Sequence, residues 1–480
     1  MRIIKIVFLG LFVLLNTACS NNGNGSDSDD SVKITILYTN DEHGWMEPVE
    51  NIGGAAGLME LWKTKEGYNG DDNFLILSGG DNWTGPAIST WFKGESMVDV
   101  MNAMEYDATT IGNHEFDFKT DGLRQRIAQA DFPFLSSNIR MKGSNEIPDF
   151  ATPYTIIEID GVSVGIIGLT TTSAPTSTFP DFVKDFDFIA YNDALQEIVP
   201  EVKTAGAQIM IVIGHLCEGE RRALNSSAKS LGISVITGGH CHDLHSSITD
   251  GIVSIEGGSN LQSYAKVELV YNKTSAEITS KSASTHYNDG TEQDAQVAQV
   301  VQNWKVQMGT QLSQAIGYVE STLGRNTNAM FNMVTDSWLV SFPEADVALT
   351  NAGGIRQDVP AGEITLETMV GVLPFENSIY ELDMSGTELK NVIGPLVFGG
   401  MTMTDGYKLS DGTPIYDDSV YQVLTTDYLY SRPDYSFSSA DPEPYQTSVH
   451  YRQPVIDWIQ SLNTSQTQPL DNFLDYESRR

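Results

Sequence analysis

Six short apolar runs punctuate the chain between Val32 and about Tyr271: VKITILYTN, NFLILSGG, VSVGIIGLT, QIMIVIGH, ISVITGGH and IVSIEGGS. Each is dense in Ile, Val and Leu and is stopped by glycine or a polar residue. Runs of this length, rich in β-branched residues and bounded by turn formers, predict strands, and the stretches between them predict helices and loops. The repetition predicts a layered α/β domain over residues 32–275, with functional residues at the strand ends. From Asp294 to Ile316 the period changes. Val297, Val300, Val301, Trp304 and Met308 recur at helical spacing with no internal proline, which predicts a helix within a joining segment, 276–316. Strand-like runs return in ADVALTNAGGIRQDVPAGEITLETMVGVLPFENSIYELDMSG, so residues 317–480 are expected to form a second, smaller α/β domain.

The first eighteen residues, MRIIKIVFLGLFVLLNTA, place Arg2 and Lys5 ahead of an apolar run too short for a stable membrane span. Residues 1–18 therefore read as a cleaved signal peptide. Because Cys19 closes that run, the segment resembles a bacterial lipoprotein signal, which implies lipidation of Cys19. Residues 19–31, with SNNGNGSDSDD, have almost nothing to bury and read as a flexible tether. The expected location is extracytoplasmic, in the periplasm or cell envelope, with the membrane met only through the lipid anchor.

A length of 480 residues, with 40% hydrophobic and 9% aromatic content, fits two or three globular domains and excludes disorder as the reading. The formal net charge of −35 excludes nucleic acid as a partner. An anionic substrate would need local positive charge from bound cations and placed arginines. Beyond Cys19 only Cys217 and Cys241 remain, which allows at most one disulfide. Both flank histidine clusters and read as small buried thiols rather than ligands, since imidazole and oxygen ligands are already abundant there.

Of the 8 histidines, five sit in polar clusters that each follow an apolar run. TNDEHG supplies Asp41 and His43 at a one-residue interval, as two ligands of one cation would require. GGDNWTG adds Asp81, whose two oxygens could bridge a pair of cations. GNHE adds Asn113 and His114, IGHL adds His215, and GGHCH adds His240 and His242, enough hard oxygen and borderline nitrogen donors for two ions. The second domain has no histidine except His450 and so no metal site. Its features are a glycine-rich turn, Gly353 and Gly354, ending in Arg356, and an isolated Arg325. Glycines let a backbone approach a ligand closely, and arginine forks match phosphate.

In this order the clusters D-x-H, G-D, G-N-H-E, G-H and G-H-x-H resemble the calcineurin-like metallophosphoesterase superfamily. TNAGGIR and LPFEN resemble the C-terminal domain of the bacterial 5′-nucleotidase family. The resemblance implies a four-layer metallophosphoesterase β-sandwich flanked by helices, joined by a helix to the substrate-binding domain. It implies two divalent ions, Zn, Mn or Co. One would be held by Asp41, His43 and His242, the other by Asn113, His215 and His240, with Asp81 between them. Two ions about 3.5 to 4 Å apart can bind both an attacking hydroxide and the phosphoryl oxygens. His114 would stabilise the transition state and Asp117 would orient it, while Glu115 would be structural.

The same resemblance places Arg325, Asn351 and Arg356 on the phosphate or ribose side of a nucleotide, with Phe375 and Asn377 near the base. Where many relatives carry GGDGF or GGDGY, this chain reads SRPDYSF. Asp434 matches that turn, and either Tyr435 or Phe437 would be the second stacking ring. The expected activity is release of phosphate from nucleoside 5′-monophosphates by a monomer. The alternatives are a 2′,3′-cyclic-nucleotide phosphodiesterase with 3′-nucleotidase activity, a UDP-sugar hydrolase, and, more remotely, a lipoprotein that binds nucleotides or metals without turnover.

Overall fold

The computed structural model describes residues 30–49, 51–70 and 73–480. The expected signal peptide, Cys19 and nearly all of the tether lie outside the described residues. Among the described residues no helix is long and apolar enough to cross a membrane.

The first domain is built on two six-stranded sheets. One runs Glu277–Tyr287, Ser263–Asn272, Ser31–Thr39, Phe74–Ser78, Ala108–Thr110, Phe134–Leu135. The other runs Leu244–Thr249, Ile252–Gly257, Val235–Thr237, Ile209–Gly214, Val162–Leu169, Tyr154–Ile159. All six sequence runs are strands. Their alternation sorts side chains between two cores, because successive residues of a strand face opposite ways. Ile34, Ile36 and Tyr38 meet Ile209, Ile211 and Ile213 between the sheets. Leu37 and Ile76 face outward onto helices Gly54–Leu61, Glu95–Ala103 and Ala295–Leu312. Met210 and Val212 face outward onto helices Tyr191–Thr204 and Glu218–Leu231. The result is the layered helix–sheet–sheet–helix arrangement.

The expected linker, 276–316, is largely part of this first domain. Glu277–Tyr287 pairs antiparallel with Ser263–Asn272 at the sheet edge. Its sequence, EITSKSASTHY, carries no apolar run because an edge strand buries little. The helix over Ala295–Leu312 starts where Asp294 Oδ1 accepts from the N–H groups of Gln296 and Val297 at 3.1 and 2.9 Å, a side-chain N-cap. Val297, Val301, Trp304, Met308 and Leu312 are buried in the outer core, where this helix packs against helices Gly54–Leu61 and Glu95–Ala103.

The second domain holds a five-stranded sheet in the order Val397–Gly399, Val347–Thr350, Val420–Thr426, Ser378–Ser385, Tyr445–His450. Helices Asn328–Ser341 and Gln453–Ser461 cover one face. Val370, on helix Leu366–Val372, packs into the outer core of the first domain, which brings the loops after Val347–Thr350 and Leu366–Val372 over the strand ends of the first domain.

Candidate metal and phosphate site

Strands Ser31–Thr39, Phe74–Ser78 and Ala108–Thr110 run parallel, as do Ile209–Gly214 and Val235–Thr237. Their C-terminal ends open on one cleft, and the polar clusters follow at those ends. Five of the seven expected ligand residues have left-handed backbone: Asp41, His43, Asp81, His240 and His242, with φ between 45° and 73°. That conformation costs a residue with a β-carbon about 1–2 kcal/mol. Such outliers concentrate where geometry serves function. Gly112 is required at its position, since a β-carbon there would collide with the Asp81 carboxylate.

Asp41, His43, Asp81, Asn113 and His215 are buried. Asp41 Oδ2 accepts from Asn40 Nδ2 at 2.7 Å and from the His240 N–H at 2.9 Å. Its Oδ1 has no hydrogen-bond partner and lies 3.3 Å from His242 Nε2, 3.8 Å from His43 Nε2 and 3.9 Å from His215 Nε2. The Nε2 atoms of His43 and His242 are 3.3 Å apart. His215 Nδ1–H donates to the Gly79 carbonyl at 2.8 Å, which turns Nε2 toward Asp81 Oδ2 at 3.0 Å. Asn113 Nδ2 donates to the Ser177 carbonyl at 3.1 Å, leaving a buried Oδ1 without a partner. Ligand atoms of Asp41, His43 and His242 lie within 4.8 Å of one another, as do those of Asp81, His215 and His240.

Buried acceptors facing one another without donors are costly unless a cation sits among them. The residues present therefore fit two cations, with Asp81 Oδ2 reaching toward the second group and Asp81 Oδ1 accepting from the His114 N–H at 2.8 Å. The buried carboxylates, imidazoles and Arg356 set one another's charge in opposite directions. Burial, reinforced by Arg356, holds His43 well below the usual imidazole range, so it is a neutral ligand. Burial works against charge on His215, yet the carboxylates of Asp81 and Asp41 push it up to about 10. Burial would raise the Asp81 carboxyl, but His215 and His114 hold it well below its ordinary value.

GNHEFDF folds as a tight turn with separate duties. His114 Nδ1–H donates to Asp117 Oδ2 at 2.7 Å, leaving Nε2 as the ring atom available to a ligand, and Thr178 donates to Asp117 Oδ1 at 3.1 Å. Glu115 faces away from the cleft. Its Oε2 accepts from the N–H groups of Asp81 and Gly112 at 2.9 and 2.6 Å, and its Oε1 from Asn82 N and Nδ2 at 2.8 and 2.9 Å. Glu115 thus binds the GGDN loop to the GNHE loop.

Both domains line a cavity of about 560 Å³ over these groups. Arg356 enters it from the second domain, with Nη2 at 3.5 Å from His43 Nε2. Among the described residues it has no carboxylate partner, so its charge is free for an anion. Asn351, Gly353, Gly354, Phe375 and Asn377 also line the cavity. The Phe375 ring stacks on His114, centroids 5.8 Å apart at 23°.

Arg325, Asp434 and Tyr435 do not line the cavity. Arg325 is exposed and donates through Nη1 to the Arg356 carbonyl at 3.0 Å, bracing the loop behind the cavity. Asp434 accepts from Arg432 Nε at 2.7 Å. Tyr435 packs beside Arg432, and Phe437 is fully buried in the core of the second domain. From this part of the second domain it is Tyr428 that reaches the wall, and its hydroxyl accepts from Arg432 Nη1 at 2.7 Å. Phe179 and Phe182 of the first domain also reach the wall. The sequence offers only their aromatic type as a signal, because they lie on a connection and not at a strand end. The cysteines are not buried thiols: Cys217 and Cys241 form a disulfide, with Cys241 exposed.

The family model for the 5′-nucleotidase C-terminal domain matches residues 311–406, and that for the bacterial capsule synthesis protein PGA_cap matches residues 75–248. A snake venom 5′-nucleotidase from Gloydius brevicauda is 27% identical over 442 residues, 81% of this chain and 74% of that protein. The endonuclease YhcR of Bacillus subtilis is 26% identical over 83% of this chain, which spans only 37% of that protein's length. Among solved structures, the 5′-nucleotidase precursor from Thermus thermophilus shares the fold, with a TM-score of 0.76 at 21% identity, over 93% of this chain and 98% of that one.

Proposed function

Because the chain belongs to the bacterial 5′-nucleotidase family of metal-dependent phosphoester hydrolases, we propose that it is an extracytoplasmic two-metal hydrolase releasing phosphate from nucleoside 5′-monophosphates. The observation that carries this reading is the pair of buried acceptor oxygens without a hydrogen-bond donor, Asp41 Oδ1 and Asn113 Oδ1, facing the imidazoles of the same cleft. Asp41, His43 and His242 would hold one cation and Asn113, His215 and His240 the other, with Asp81 shared. When bound, such a pair supplies Lewis acidity to the phosphoryl group and lowers the pKa of a water.

The remaining work falls to side chains. Arg356, free of any carboxylate, pairs with the phosphate and offsets its charge. His114, oriented through Nδ1 by Asp117, presents Nε2 to the phosphoryl or leaving oxygen; burial works against its charge, yet Asp117 and Asp81 raise it, and as the imidazolium it donates from Nε2 as charge develops. Phe375 provides an apolar face for the nucleobase, a contact that contributes about 1–3 kcal/mol per base in nucleic-acid systems. Location outside the cytoplasm is supported by the N-terminal apolar run and by the Cys217–Cys241 disulfide, a bond of oxidising compartments.

Metal analysis of Asp81→Ala tests the reading. Wild type should carry two ions and release phosphate, and the variant should lose hydrolysis and bound metal together. Retention of both by the variant would remove Asp81 from its bridging place.

A further inference from the structure

Two loops that carry expected ligands are joined covalently. Cys217, two residues past His215, is disulfide-bonded to Cys241, which lies between His240 and His242, with Cα atoms 5.2 Å apart. His240 and His242 hold φ of 73° and 60°, left-handed backbone that persists only where the surroundings over-determine it. Those surroundings are a small set of contacts. The His240 N–H donates to Asp41 Oδ2 at 2.9 Å, and the Gly239 N–H to the Leu216 carbonyl at 3.1 Å. The Asp243 N–H donates to Glu256 Oε1 at 2.9 Å. Fully buried Arg221 pairs with Glu256 and donates to the same Leu216 carbonyl at 2.8 Å. Among the described residues Cys241 takes part in no main-chain hydrogen bond, so its sulfur is the tether at the centre of the strained loop.

We infer that the Cys217–Cys241 disulfide is a positioning element of the metal centre, fixing His240 and His242 against His215, so that reduction weakens metal binding without unfolding the domain. The inference rests on the metal-site reading proposed above. Neither cysteine belongs to a hydrophobic core of the domain, so opening the bond removes no core packing. His242 is the least enclosed ligand, with its side chain 40% exposed, and depends most on its backbone for placement. Cys241 is exposed and Cys217 half-buried, within reach of a reductant. A dithiol would transfer two electrons and two protons to the pair, giving two cysteine thiols and itself closing to a disulfide. The metal centre would then be complete only in an oxidising compartment.

The test measures Zn²⁺ and Co²⁺ affinity of the full chain by competition with a chromophoric chelator, before and after reduction with a water-soluble phosphine that is then removed under anaerobic conditions. The phosphine becomes its oxide with oxygen from water as the disulfide becomes two thiols. At least one of the two ions should bind 10–100-fold more weakly after reduction, the range for losing a group that orients a metal ligand. The Co²⁺ absorption bands should change, while far-UV circular dichroism and the metal-free Tm stay those of a folded protein. Cys217→Ser/Cys241→Ser should bind metal as the reduced protein does and show no response to phosphine; if it does not fold, reduction of the folded wild type decides. Equal affinities within twofold, or loss of the fold on reduction, would overturn the inference. Oxidised protein that binds no ions at all would overturn the metal-site reading with it, which separates the two failures.

Discussion

Replacing Glu115 with glutamine changes almost no volume, yet it should be among the most destabilising isosteric changes in the first domain. Each carboxylate oxygen accepts two N–H donors, from Asn82 at Oε1 and from Asp81 and Gly112 at Oε2. An amide has one acceptor oxygen, so whichever way it is turned, its NH₂ group faces two donors. If it faces Asn82, the Asn82 side chain can turn its own oxygen inward and recover one bond. If it faces Asp81 and Gly112, both bonds are to main chain and neither can be recovered. One to two bonds are lost in a fully buried setting, at about 1.5–3 kcal/mol each to the ionised carboxylate, so the cost is about 1.5–6 kcal/mol above the pH at which Glu115, pushed up to about 7 by burial and Asp81, ionises. Urea unfolding of the metal-free protein, extrapolated to water, measures it without a contribution from bound ions. The same loops carry Asp81 and Asn113, so metal affinity should fall as well. A change in unfolding free energy below about 1 kcal/mol would refute the assignment of Glu115 as the clamp between the loops.

His114→Ala should keep both ions, because its ring is held by Asp117 and is not among the expected ligands, while turnover falls by about 10² or more, the range for a lost transition-state group; metal analysis beside kcat checks both halves, and an unchanged kcat would remove His114 from the chemistry. Phe375→Ala should raise KM for nucleotides more than for a simple aryl phosphate. Tyr435→Ala should leave both unchanged because that ring lies outside the cavity. Equal effects of Phe375→Ala on the two substrate types would argue against base stacking.

Legibility in the sequence follows burial. The six strands can be read because two-sided burial makes continuous Ile and Val runs. Ala108–Thr110 is only three residues long and carries polar threonines buried at 0% exposure. Glu277–Tyr287 is a half-exposed edge with no apolar run, so the sequence pattern assigns it to the linker. The ligand clusters can be read because their residue types are uncommon together and follow strand ends. Their left-handed backbone is only faintly signalled, since Asp and His adopt it more often than other residues with a β-carbon but far less often than glycine. The substrate wall is the least legible part. Tyr428 and Phe182 are ordinary aromatics until two domains meet around one cavity, and Asp434 matches a relative's turn while its carboxylate is held by Arg432.

The most direct measurement is phosphate release by the chain lacking residues 1–19, reloaded with Mn²⁺ or Zn²⁺, from 5′-AMP beside 3′-AMP, 2′,3′-cyclic AMP and UDP-glucose. Fast release from 5′-AMP, with the others at least ten-fold slower, is the expected result. Two bound ions with no turnover of any of the four would contradict a nucleotide hydrolase.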